Sequence, residues 1–215
     1  MTQEQFDRLQ LLFRLQDKLS ATWLDYWQTF SFGTWQFWIN VLMLLVPIGV
    51  VLILLDKTKA LLLGFYGYTV HMLFTYIDAF GSIRALWYYP FKVVPILPIS
   101  IALDVSLVPV TFMLVYQWTL NHKKNYYLYT TGLCLFFAFV FKPVMSYLDL
   151  FELNRGTTFF HLLPCYLIIM LVSKWITNLF LLFVGEKRIS GKEAGLRLAD
   201  KLPLRGRIWG KMKAR

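Results

Sequence analysis

The chain has 215 residues, 58% of them hydrophobic and 18% aromatic, and only 16% are charged, against about 25% in average soluble domains. Its net charge is +10, and ten of its 22 Lys and Arg lie beyond residue 184, which leaves residues 35–184 close to continuous apolar sequence. A soluble core of that length needs polar faces on its helices, and these stretches have almost none. An aqueous globule is thereby excluded. The expected fold is an all-α, polytopic transmembrane helix bundle with an N-terminal amphipathic helix and a basic C-terminal tail.

Residues 1–33 form the first unit. Leu9, Leu12, Leu15, Leu19, Trp23, Tyr26 and Phe30 recur at three- and four-residue steps, with Gln, Asp, Arg and Lys between them. That spacing predicts an amphipathic helix lying in the membrane interface or packed on the bundle. Ser31, Phe32 and Gly33 make a hinge into the first span. The first apolar run is too long for a signal-peptide core and is expected to remain as an uncleaved span.

Residues 34–184 form the bundle. Five spans are predicted at 35–55, 60–80, 93–120, 126–148 and 158–184, each holding the roughly 20 apolar residues a bilayer crossing needs. Only helices satisfy every backbone amide inside lipid at such lengths. The unbroken run Leu42, Met43, Leu44, Leu45, Val46 excludes the alternating strands of a membrane barrel. No internal repeat is present, so an inverted-repeat transporter is not supported. Prolines interrupt every span but the second: Pro47, then Pro95, Pro98 and Pro109, then Pro143, then Pro164. Cys134 and Cys165 fall at different depths of their spans and are read as small buried hydrophobes.

Residues 185–215 form the tail. Lys187, Arg188, Arg205, Arg207 and Lys211 are its candidate contacts to anionic lipid headgroups; no nucleic-acid module is visible. Fourteen Lys and Arg fall on the side that holds Lys57, Lys59, Lys123, Lys124 and the tail, and six on the other. The excess predicts a cytoplasmic C-terminus and an N-terminus outside. Trp35, Trp38, Trp87, Tyr88, Tyr89, Trp118, Tyr126, Tyr127 and Tyr129 cluster near span ends and read as an aromatic belt.

Polar groups inside lipid are costly and need a partner or a water-filled cavity. Asp104 is the sharpest case, set mid-span among prolines with Ser100 and Thr111 expected on its face. It reads either as an ion- or proton-handling site or as a structural knot between helices. Lys142 is its expected ion-pair partner, at the head of a stripe with Ser146 and Asp149. His71, Thr75 and Asp78 form a second stripe. His161, beside Glu152, opens the fifth span. Together Asp104, Lys142, His71, Asp78, His161 and Asp149 form the candidate polar pathway or intramembrane pairing set. Lys174 is expected to snorkel to the headgroups. No metal or cofactor is expected, since no H-E-x-x-H, Walker A, G-x-S-x-G, C-x-x-C or dinucleotide fingerprint occurs.

The run Trp87, Tyr88, Tyr89, Pro90, Phe91, Lys92, followed by Pro95, Pro98, Asp104, Pro109, Val110, Tyr116 and Gln117, resembles a functionally uncharacterised family of small multi-span membrane proteins from spore-forming Gram-positive bacteria. The likeness covers about residues 54–179. It implies a bacterial cytoplasmic membrane location and carries no activity. The functional expectation is a non-enzymatic protein that moves, or assists movement of, a small solute, ion or lipid. The alternatives are a membrane-embedded lipid-modifying enzyme and a scaffold of a membrane assembly, with other membrane proteins as partners.

Overall fold

The structure is a computed structural model that describes residues 1–183. The tail 185–215, with Lys187, Arg188, Arg205, Arg207 and Lys211, lies outside the described residues. What is described is all-α apart from one two-residue strand pair. Five helices are long and apolar enough to cross a membrane: Trp35–Leu54, Ala60–Ile83, Ala102–Asn121, Tyr126–Tyr147 and Phe159–Leu182. They fit an integral membrane protein.

Helix α1 spans Gln3–Tyr26. The Thr2 hydroxyl accepts from the Gln5 N–H while the Gln5 side chain accepts from the Thr2 N–H, a reciprocal cap that fixes the helix start. No residue of α1 is buried, and Leu11, Leu12, Phe13 and Leu15 are each more than half exposed. A widened turn, Trp27–Ser31, follows, and the chain reverses at Gly33 with φ 81°, a conformation that suits glycine.

The third span is the axis of the bundle. It packs on the first, second and fourth spans, while the fifth closes the far side against the second and fourth. Burial follows the same order: 56% of its apolar window lies inside, against 11% for the first span. Aromatic rings fill the interior, with Tyr66, Phe112, Tyr116 and Phe137 fully enclosed. Leu52, Ile53, Leu61, Ile83 and Phe160 instead point outward, as lipid-facing positions do. Between helices in lipid, close packing and interhelical hydrogen bonds drive association, because the tails are as apolar as the side chains.

Two spans contain a widened π-helical turn, Ala102–Leu107 and Phe137–Phe141. Each ends two residues before a proline, Pro109 and Pro143. The proline ring crowds the carbonyl four residues back and removes one amide donor, and the helix relaxes by taking in an extra residue.

The third helix begins at Ala102, nine residues later than the sequence suggested. Pro95 and Pro98 supply no amide hydrogen, and each disfavours helix in the residue before it. Residues 84–100 instead form an irregular strap folded onto the bundle. Trp87 and Tyr88 pair antiparallel with Leu153 and Glu152. Asn40 Nδ2 donates to the Phe91 carbonyl at 2.7 Å and Trp27 Nε1 to the Lys92 carbonyl at 2.8 Å. These bonds tie the strap to the first span and to the end of α1.

Candidate functional site

Asp78 organises the strap end of the bundle. It lies on the buried face of the second span with Val70, Phe74 and Gly81. Its Oδ1 accepts from Trp87 Nε1 at 2.8 Å and from the Tyr89 hydroxyl at 2.7 Å, and its Oδ2 accepts from the Ser100 amide at 3.3 Å. All three donors come from the strap. Gly81 makes this possible: a Cβ there would collide with the Trp87 ring.

Lys142, on the fourth span, is buried and donates to the Tyr89 hydroxyl at 3.0 Å. Its ammonium sits 3.7 Å from the Phe151 ring centroid and 4.8 Å from that of Tyr89, within the range of cation–π attraction. Tyr89 therefore relays between ammonium and carboxylate, accepting from Lys142 and donating to Asp78. The expected Asp104–Lys142 ion pair is replaced by this arrangement: among the described residues the ion pairs are Arg8–Glu4 and Lys59–Asp56.

Asp104 is wholly enclosed, and among the described residues its carboxylate oxygens meet no N–H or hydroxyl donor, only the Asp78 carboxyl within hydrogen-bonding reach. Asp78 and Lys142 are the charged groups in electrostatic contact with it. Two carboxylates in contact offer each other no donor unless one holds a proton. The Tyr166 hydroxyl, buried beside both acids, is also unmatched. A cavity of about 20 Å³ lies against Asp78, Lys142 and Tyr166, which is room for about one water and not for a solute.

The other candidate residues disperse. Asp104 occupies the opening turn of its helix rather than mid-span, and the π turn moves Thr111 off its face. Thr111 Oγ1 donates to the Leu107 carbonyl and lines an outer groove instead. His71 Nδ1 lies 2.7 Å from the Asp104 backbone carbonyl, with Thr75 Oγ1 at 3.4 Å. That contact fixes the helix start and leaves the carboxylate untouched. Asp149 falls outside the stripe assigned to it: the fourth span ends at Tyr147, and Asp149 is exposed in a left-handed turn at φ 60°. His161 is exposed and caps its own helix, its Nδ1 3.0 Å from the Thr158 amide.

Lys174 does not snorkel. It is half-buried, donates to the Tyr116 hydroxyl at 2.8 Å and lies 4.2 Å from that ring's centroid. Tyr66 donates to the Tyr126 hydroxyl at 2.7 Å, and Tyr126 donates onward to the Met170 carbonyl at 3.2 Å. This second knot holds the second, third, fourth and fifth spans together without a carboxylate.

Trp87, Tyr89 and Lys92 were not foreseen as site residues, and Ser100, expected beside Asp104, instead gives its amide to Asp78. An aromatic belt is expected at lipid–water boundaries, but Trp87 and Tyr89 are only 6% and 2% exposed. Burial alternates around Tyr88, which is 41% exposed, as in a strand with one face inward, but three consecutive aromatic residues carry no sign of that in the sequence. Lys92 is buried, donates to the Leu97 carbonyl at 2.9 Å and lies 4.3 Å from the Trp23 ring centroid on α1. Burial pulls its ammonium down to about 8, although Asp78 favours the charged form. Burial also pushes the Tyr89 hydroxyl up, with Asp78 adding to the effect, so Tyr89 stays a neutral donor.

Among the described residues no group of three or more His, Cys, Asp or Glu is placed to hold a metal ion. No protein-family model, curated protein or solved structure matches the chain.

Proposed function

We propose that this protein passes a small cation, a proton in the first instance, through the Asp78–Asp104–Lys142 cluster, moving it across the membrane or supporting a partner that does. The observation that carries this reading is the Asp104 carboxyl: fully enclosed and, among the described residues, matched by no donor except through a proton shared with a second acid, Asp78. An unmatched charge in lipid is costly, and an exchangeable cation relieves it. The one-water cavity suits a proton or a small ion better than a larger solute. Lipid-modifying chemistry finds less support, since His161 lies exposed at its own helix start and His71 turns to a backbone carbonyl.

In the same reading the protein resides in a bacterial cytoplasmic membrane with its N-terminus outside, where the strap and α1 face the cell exterior. The basic tail meets anionic headgroups. A scaffold role in a membrane assembly is favoured by one feature, the absence of any buried residue in α1.

Proteoliposomes holding a pH-sensitive dye test the reading. Under an imposed membrane potential, wild-type protein is expected to accelerate proton entry, and Asp104→Asn to return the rate to that of empty vesicles while keeping its helical content. Equal flux from wild type and variant would remove Asp104 from the pathway. No flux from either leaves the scaffold as the better description.

A further inference from the structure

The groove between the third and fourth spans lies apart from the polar cluster. It has a volume of about 590 Å³ and is lined by Thr111, Leu114, Trp118, Tyr129, Gly132 and Phe136, among others. That volume falls within the roughly 300–1,000 Å³ of small-molecule sites. Gly132 opens its floor, for a Cβ there meets nothing within 4 Å. Trp118 and Tyr129 form one end, edge to face at 4.7 Å between centroids. Among the described residues the Trp118 indole N–H and the Tyr129 hydroxyl have no hydrogen-bond partner. Two donors therefore stand at the mouth of an apolar trough.

Charge lies just beyond that mouth. His122 stacks on Trp118 at 4.9 Å, and the chain then turns through Lys123 and Lys124 before the fourth span begins at Tyr126. His122, Lys123 and Lys124 are exposed. Asp56, the carboxylate at this end among the described residues, is already bound by Lys59. Two ammonium groups with no ion pair among the described residues, two aromatic donors and an apolar trough thus follow one another from the bundle end toward mid-membrane.

We propose that this groove is a binding site for one anionic phospholipid. An acyl chain lies over Gly132 toward Phe136, the ester region meets Trp118 and Tyr129, and the phosphate sits at Lys123 and Lys124. Charge complementarity selects the occupant: a zwitterionic lipid fills the trough equally well but gains less at the lysines. The site is independent of cation passage through Asp104.

Native mass spectrometry of the full chain tests it, after exchange from an equimolar mixture of palmitoyl-oleoyl phosphatidylglycerol and phosphatidylcholine. Wild type is expected to retain one phosphatidylglycerol per chain in preference to phosphatidylcholine. Gly132→Phe fills the floor and is expected to lower retention of both lipids at least about tenfold. The double variant Lys123→Gln/Lys124→Gln is expected to keep the trough but lose the preference by roughly 25-fold, about five-fold per lysine. No preference in wild type, an undiminished preference in the double variant, or full retention by a folded Gly132→Phe would each overturn the proposal. Displacement of the lipid by inorganic phosphate alone would overturn the acyl-chain half of it. Both lysines are exposed, so the double variant decides the matter even if Gly132→Phe does not fold.

Discussion

The two ends of the bundle use the same device to opposite effect. At the strap end Lys142 rests on aromatic rings and donates to a tyrosine hydroxyl; at the other end Lys174 does the same with Tyr116. The difference lies in what stands behind the tyrosine. Tyr89 passes the contact to Asp78, with Asp104 close by, whereas Tyr116 stands with Tyr126 and Tyr66 and, among the described residues, no acid. The lysine–tyrosine pair is thus a means of joining helices in lipid that needs no carboxylate. Only the added carboxylates create a charge balance that a mobile cation can change.

Replacing each lysine separates the two knots. Lys142→Met removes the one cation in electrostatic contact with both buried acids among the described residues, leaving Lys92 near Asp78 alone, and a loss of about 3–5 kcal/mol in stability is expected. Lys174→Met strands no charge and is expected to cost only about 1 kcal/mol, the value of one hydrogen bond and its ring contact. Thermal unfolding of the two variants in one detergent measures the gap, and equal losses would break the contrast. Next in size is Gly81→Ala, which drives the Trp87 ring off the second span and away from Asp78. About 1–3 kcal/mol is expected, read from the melting curve, with exposure of Trp87 read from quenching of its fluorescence.

A pH dependence is expected at Lys92. Its folded-state value of about 8 lies below the usual lysine value of 10.5, with burial as the cause. Below pH 8 both folded and unfolded chains hold the proton, and this group's contribution is constant. Between about pH 8 and 10.5 the unfolded chain binds more protons, so this group's contribution to stability rises with pH. The cation–π contact to Trp23 is lost over the same window, so α1 should exchange its amide hydrogens faster near its Trp23 end while the bundle gains stability. Lys92→Met should flatten both trends.

Much of the architecture is written in the sequence. Hydropathy and length alone place the first, second, fourth and fifth spans to within a few residues, because lipid admits one backbone solution for each apolar run. The third span misled at its start: Val93 to Ser100 is apolar enough to span, yet its prolines prevent a helix. Asp104, Lys142 and Asp78 stood out by the cost of charge in lipid. Their partners did not, because Trp87 and Tyr89 carry the same residue types as an ordinary boundary belt. Which face each residue presents was also hidden, since a helical wheel drawn through the third span runs across a π turn that it cannot see.

The widened turns at Ala102–Leu107 and Phe137–Phe141 each amount to a single surplus residue, with consequences for how the chain tolerates changes in length. Deleting Val140, which is half exposed, lets the turn close into ordinary helix while Lys142 still faces Tyr89. A deletion on the regular part of the same span swings everything beyond it by about 100° and carries Lys142 out toward the lipid.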